Sequence, residues 1–484
     1  MAFVAALDAR GDPRLWVGSF GRSPQGRELP LLVLSTGGVS TPEQARALGR
    51  PIVLMLDGIH PGEVEGKEAT LALIRDLLDG RAPELADALH HLTLVVVPLF
   101  NPDGNDALDP ANRRLELKKL HGQIGPVVGT RTQSHGINLN RDWMRLEAPE
   151  SRLLQAGVIG PWQPDLTIDN HATNGSVHRM QMTVDVPHTV AAGRPEPIEL
   201  VRTSLVPDVI RAVRRRGFES GWYGNFVEDE RALDAGVEVD GTATVGEGWM
   251  TYPHHPRFGA NQRGLTGRMD LLLECYSYLP FEERVHTASA WQIETLAWVA
   301  RHPDLCLQTV AEAATPRDRI AVRSELRTFD ELVEVPTRNP RTLDGLPVTV
   351  KLPHLARFVG STVVDRPAAY VVPPEVAAHL RLHGLEVGPA PAEAVVRVAT
   401  VESLGAEVGR KILEAGSVGD VSVSWREERR AVPAGWASVS TDQRSGAIAV
   451  YFCEPESDDG AAENGLIAVP EVGAEHPIWR VERA

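Results

Sequence analysis

The sequence has little cysteine, no excess of basic residues and no long apolar run, and each absence removes a class of protein. Three cysteines, Cys275, Cys306 and Cys453, are an odd number without close paired spacing. Neither a disulfide framework nor a cysteine-based zinc site is indicated, and structural thiols are expected. With 49 Lys plus Arg against 65 Asp plus Glu, the formal net charge is −16. That is the wrong sign for displacing counterions from a phosphate backbone, so no nucleic-acid partner is expected. No stretch of about eighteen apolar residues exists, so no membrane span is expected. The opening MAFVAALDARGDPRLW lacks a basic lead-in and its apolar stretch stops at Asp8, unlike a secretory signal. A soluble protein is expected, with its compartment unassigned. No G-x-S-x-G elbow occurs, which argues against a serine-nucleophile hydrolase, and no internal repeat is apparent.

What remains is an ordinary globular composition, 43% hydrophobic and 24% charged, in a chain of 484 residues. That length suffices for one large core and a smaller second one. PLLVLS (30–35), PIVLMLD (51–57), LTLVVVPL (92–99), DLTIDN (165–170) and MDLLLECY (269–276) read as strands. Several are apolar at nearly every position, as strands covered on both faces are. Between them EGKEATLALIRDLLDG, PEPIELVRTSLVPDVIRAVRRRG (interrupted by Pro207) and EERVHTASAWQIETLAWVARH carry helical patterns. Beyond about residue 305, ELVEVPTR, LPVTVKL, AAYVVP, AVVRVATV, VSVSWRE, WASVST and AIAVYF read as short antiparallel strands, with one helix at PEVAAHLRLHG. The fold class expected is therefore α/β, a mixed and mostly parallel sheet flanked by helices, with a smaller β-rich C-terminal domain. The expected division is 1–310 and 320–484.

The polar residues that follow these strands carry the chemistry. His60 and Glu63 follow the second strand, Asn101-Pro-Asp-Gly104 the third, and His171 the fourth, while Glu274 lies near the end of 269–276. Open α/β sheets bind ligands beyond the carboxyl ends of their strands, so these points are expected to converge on one crevice. His-x-x-Glu alone is weak, since the composition gives about two such pairs by chance. Two histidines and one carboxylate, with water in the fourth place, form a catalytic zinc set, and His171 would complete it. Glu274 is a candidate proton acceptor; the plain alternative is a carboxylate paired with Arg268 or Arg284. Asn140-Arg141 forms a fork suited to a carboxylate, against the alternative of a surface arginine bonded to Glu147 or Glu150. Arg113, in PANRRLELKK, has a solvated basic face as its alternative. His90-His91, His178 and His254-His255 are read as structural or surface residues.

Taken in order, DGIHPGE, NPDG, INLNRD, TIDNHATNG and PRFGANQRGLTGRMDLLLECYSY resemble the zinc metallocarboxypeptidases related to carboxypeptidase A, over roughly residues 20 to 300. The resemblance implies one zinc ion held by His60, Glu63 and His171, with Glu274 as general base. It further implies Asn140 and Arg141 as the clamp on a peptide's terminal carboxylate, and Arg113, or its neighbour Arg114, at the oxyanion. Tyr252 is the candidate for the tyrosine that closes over substrate. Two departures stand out: Gly62 where the family often has arginine, and Asn138 where an aspartate usually receives a ligand's imidazole proton. AAYVVPPEVAAHLRLHGLEV and WASVSTDQRSGAIAVYFCEPESDDG resemble C-terminal regions attached to some bacterial members, for which the resemblance supplies no activity.

The expected activity is zinc-dependent removal of C-terminal residues from a peptide, or action on a small amide substrate with a free carboxylate. A zinc amidase or deacylase on N-acyl amino acids or cell-wall peptides, and a non-catalytic zinc- or peptide-binding protein, are the alternatives.

Overall fold

The computed structural model describes residues 2–227, 248–338, 346–405, 421–468 and 471–483. Its centre is an eight-stranded mixed sheet. In chain order the strands are β1 (Leu15–Arg22), β2 (Glu28–Leu34), β3 (Ile52–Leu56), β4 (Thr93–Val97), β5 (Leu166–Thr173), β6 (Met182–Asp185) and β7 (Ser220–Trp222). Two short strands, β8 (Asn225–Phe226) and β9 (Trp249–Met250), lie outside this sheet, and β10 (Met269–Tyr276) returns to it. Across the sheet the order is β1-β2-β4-β3-β5-β10-β6-β7, and β4, β3, β5 and β10 run parallel.

The runs without alternation are explained by burial on both faces. Along β3, Val53 and Met55 enter one core with helices α1 (Glu65–Leu78), α2 (Val206–Arg215) and α3 (Phe281–Arg301). Ile52, Leu54 and Leu56 enter another core with Phe100, Trp143 and Trp162. Every residue of such a strand is inside, so the sequence shows no polar face.

Three local expectations need correction. The strand expected to stop at residue 170 continues to Thr173, because β10 pairs with it throughout, so His171 sits within β5 rather than after it. Pro207 does not break its helix. The chain is helical from Pro195 to Arg215, with a π-helical turn at Val201–Leu205 just ahead of the proline, where a widened turn tolerates the missing N–H. AIAVYF lies in a helix, Gly446–Cys453, rather than a strand. Every residue of it is buried, and an apolar run covered on all sides carries no period to read.

After residue 313 the chain builds two further sheets. The long hairpin of β11 (Arg319–Thr337) and β12 (Val348–Asp365) adds β9 and β8 to its edge, forming a four-stranded sheet with residues from before the expected division. A six-stranded sheet is built from residues 369–481 and packs with helix α4 (Pro374–Leu382). Met144, Ala192 and Leu265 are buried in that C-terminal core.

Candidate metal centre and substrate cleft

Because β3, β5 and β10 are parallel neighbours, their carboxyl ends lie along one edge of the sheet. His60 and Glu63 follow β3 in a tight turn closed by the Glu63 N–H donating to the His60 carbonyl at 2.9 Å. His171 and Glu274 sit opposite each other in the β5–β10 register. His60, Glu63 and His171 are all buried.

The three side chains face a common point. Nδ1 of His60 is 3.2 Å from Nδ1 of His171 and 3.2 Å from Glu63 Oε1. Nδ1 of His171 is 3.0 Å from Glu63 Oε2. Donors about 2.0–2.1 Å from one tetrahedral ion stand roughly 3.3 Å apart, so the set fits zinc. The remaining ring nitrogens face other partners: His60 Nε2 meets Asn138 Oδ1 at 3.0 Å, and His171 Nε2 lies at an ion-pair distance of 3.1 Å from Asp169 Oδ1. With those nitrogens carrying the protons, both Nδ1 lone pairs are left for a cation. Asn138, the neutral residue in place of an aspartate, thus makes the expected acceptor contact. It also accepts from the Asn140 N–H at 3.0 Å, which ties the Asn140-Arg141 pair to His60.

The electrostatics suit the same role. Burial pushes His60 down to about 3, with Arg131 acting in the same direction, so its ring is neutral. Burial opposes the charged form of Glu63, yet His60 and Arg113 hold it well below the usual carboxylate range. His171 is held well above its usual value by Asp169, against burial. Glu274 is pushed up to about 8, chiefly by burial and also by the Glu63 charge. A cation at the three donors would lower Glu274 toward ionisation, as a proton acceptor requires.

His60, Glu63 and Glu274 line a cavity of about 710 Å³ that also contains Asn140, Arg141, Arg113, Tyr223, Tyr252, Met250, Phe258, Ala260 and Leu272. Among the described residues, the side chains of the alternative pairings have other partners. Arg284 bonds Glu65 and the Ile124 carbonyl, and Arg268 bonds the carbonyls of Gln163 and Pro164. Glu147 pairs with Arg145, and Glu150 accepts from Gln133. The Arg141 guanidinium stacks on Phe258, 3.9 Å from the ring centre, and Asn140 Oδ1 accepts from the Gly259 N–H at 3.0 Å.

Arg113, at a left-handed φ of 49°, reaches the site, whereas Arg114 is exposed. Arg113 donates to Glu63 Oε1 at 2.8 Å and to Ser277 Oγ at 3.0 Å. Gly62 is what admits it, since a Cβ there would meet Arg113 Cδ at 2.6 Å and the Gly129 carbonyl oxygen at 3.1 Å. Arg131, which sequence reasoning missed, brings a second guanidinium 3.2 Å from Glu63 Oε1. Its loop, GTRTQS, has no period that would single it out. Asp169 was missed as well, although its signal was present: two residues apart on a strand, it shares a face with His171.

Tyr252 lines the cavity, but its hydroxyl donates to the Val186 carbonyl at 3.3 Å and its ring packs on His188 and Phe258. Tyr223, unmarked in the sequence, lies in the same cavity within the fields of Glu274 and Arg141.

Comparison with known proteins finds carboxypeptidases. Residues 1–156 match the family model described as zinc carboxypeptidase. Carboxypeptidase 2 of Trichophyton tonsurans is 22% identical over 479 residues, covering 95% of this chain and 82% of that protein. Human carboxypeptidase D is 31% identical over 128 residues, which is 26% of this chain and 8% of that one. Among solved structures, a metallo-carboxypeptidase from Burkholderia cenocepacia aligns with a TM-score of 0.41 at 19% identity, covering 63% of this chain and 68% of that one. Residues 1–156 are thus similar to zinc carboxypeptidases, and along most of its length the chain is similar to a carboxypeptidase.

Proposed function

We propose that the protein is a zinc-dependent carboxypeptidase that removes C-terminal residues from peptides. The observation that carries this reading is the cavity lined by His60, Glu63, the Asn-Arg fork and Glu274, a carboxylate of raised pKa, with His171 meeting Glu63 to complete a buried His-Glu-His donor set.

His60, Glu63 and His171 would hold the metal, which when bound supplies Lewis acidity and lowers the pKa of water. Glu274 takes the proton of the attacking water and delivers it to the leaving amine. Arg141 and Asn140 bind the terminal carboxylate, and stacking on Phe258 fixes the guanidinium plane that a two-point contact needs. Arg113 and Arg131 place positive charge beside the reacting carbonyl, where negative charge develops. We assign Arg113 rather than Arg114 to this position, and Tyr252 to the substrate wall.

The test compares free-acid peptides with their amidated counterparts, with and without a chelator. Cleavage of free-acid peptides alone, abolished by chelation and restored by zinc, is expected. Equal rates on both would favour an amidase or deacylase, and no hydrolysis of either would leave a binding protein.

A further inference from the structure

The two segments that sequence reading left without a role, 368–387 and 436–460, contact the neighbours of the Asn-Arg fork. Asn140 and Arg141 rest on residues 257–259: Gly259 donates to Asn140, Phe258 stacks under Arg141, and the Trp143 N–H donates to the Arg257 carbonyl at 3.3 Å. Asp459 in turn holds that segment. Its carboxylate accepts from the Arg257 N–H at 2.6 Å and from Arg257 Nη2 at 2.7 Å, with both side chains buried. Asn464 donates to the free side of Asp459 Oδ1 at 3.1 Å. One residue earlier, Asp458 Oδ2 meets His254 Nε2 at 2.8 Å.

His379 on α4 and His383, just past its end, both point Nε2 at the Met144 carbonyl, at 2.7 and 3.0 Å. Met144 lies three residues after Arg141. None of these contacts involves His60, Glu63 or His171, whose neighbours all precede residue 278.

His254, His255 and Asp458 also come close enough to suggest a second metal site. The two imidazoles are stacked, with ring planes only 25° apart, so their nitrogens run side by side rather than converging. The His254–Asp458 contact is better described as a fastening.

We propose that the C-terminal half positions the carboxylate clamp: Asp459, acting through Arg257, and His379 with His383, acting through Met144, are positioning residues for Asn140 and Arg141. The inference rests on reading that fork as the carboxylate clamp. The physical reason is preorganisation. A two-point guanidinium contact requires its plane to be fixed before substrate arrives, and a turn of three residues cannot fix it alone. The three proposed metal ligands are held without the C-terminal half: His171 lies within β5, and His60 and Glu63 lie in the tight turn that follows β3. Loss of the C-terminal contacts should therefore weaken recognition of the terminal carboxylate while leaving metal binding and the chemical step in place.

The full-length, zinc-loaded protein tests this with three variants: D459N, the charge-free pair R257M/D459L and the pair H379L/H383L. The paired replacement of Arg257 and Asp459 guards against loss of fold, since it leaves no buried arginine without a partner. Turnover of a free-acid peptide gives kcat and KM. Calorimetric binding of the free-acid peptide and its amide is measured in a Glu274→Gln background, alongside zinc content. KM and Kd for the free acid should rise at least tenfold, with kcat within threefold of wild type, amide binding unchanged and zinc retained. Folded, zinc-loaded variants that keep wild-type KM and Kd, or that lose affinity equally for acid and amide, would overturn the proposal. If the wild type itself binds acid and amide alike, the carboxypeptidase reading fails first. If the wild type discriminates and the variants do so equally, only the positioning role fails.

Discussion

At the residue scale the site depends on where charge is buried. Glu274 lies in an apolar strand, opposite a histidine and near another carboxylate, and burial raises its pKa to about 8. In the proposed mechanism it moves a proton but holds no metal. Glu274→Gln should accordingly lower kcat by roughly 10²–10⁴-fold while zinc per chain stays at the wild-type level, read by a peptide assay and metal analysis. Asp57, at the end of β3, illustrates the cost of such burial. Burial pushes it up to about 7, the Asp169 charge acts in the same direction, and Thr70 and Asn170 act against them. A carboxyl raised above its unfolded value contributes stability that is complete below the unfolded pKa and is lost as pH rises through the folded one. In the chelated protein, stability should therefore fall between about pH 4 and 7 by as much as roughly 4 kcal/mol from this group. Asp57→Asn should remove that part of the fall. Denaturant titrations at pH 4.5 and 8 measure the difference, and a variant with the wild-type pH slope would refute it.

At the scale of elements, the crossing of α1 over β5 sets the spacing of the site. Gly66, in the first turn of α1, sits directly on Asn170, and an added Cβ would come within 2.4 Å of the Asn170 Cβ. Neither atom belongs to a flexible side-chain end, so the helix or the strand must shift. Alanine would gain about 1 kcal/mol in helix propensity over glycine, whereas overpacking a close contact costs about 1–3 kcal/mol. The contact should win. Gly66→Ala is expected to lower the thermal midpoint by several degrees and, by moving the residue next to His171, to weaken zinc retention. Calorimetry and competition with a chelator read the two effects. Helix periodicity was legible here, in EGKEATLALIRDLL, but the need for glycine at its second position was not, because that need comes from a strand a hundred residues away.

At the scale of the molecule, we propose the division near 310–320 as a change of architecture rather than a boundary between independently folding units. β8 and β9 complete their sheet against β12. Met144, Ala192 and Leu265 are buried in the C-terminal core, and Arg257 finds its carboxylate at Asp459. A chain ending at residue 313 would expose those apolar groups and strand a buried guanidinium, a loss of several kcal/mol against a typical net stability of about 5–15 kcal/mol. Such a fragment should fail to accumulate in soluble form, and co-expression of residues 314–484 should restore it. Solubility and zinc content of the two preparations decide the question.

The sequence by itself determined the parallel core strands, the long helices and the ordered polar residues at the strand ends. Each of these is a local pattern: an unbroken apolar run, a helical period, or a histidine and a carboxylate three residues apart. The resemblance to the zinc metallocarboxypeptidases also marked Asn138, which accepts from His60 in the structure. Only the tertiary structure decided that Arg131 joins Arg113 over Glu63, that Tyr223 shares the cavity with Tyr252, and that AIAVYF is a helix. The same holds for the contacts of Asp459 with Arg257 and of His379 and His383 with Met144. Their partners lie from about 200 to 240 residues away along the chain. No local period encodes a contact at that separation, which arises only when two cores are packed against each other.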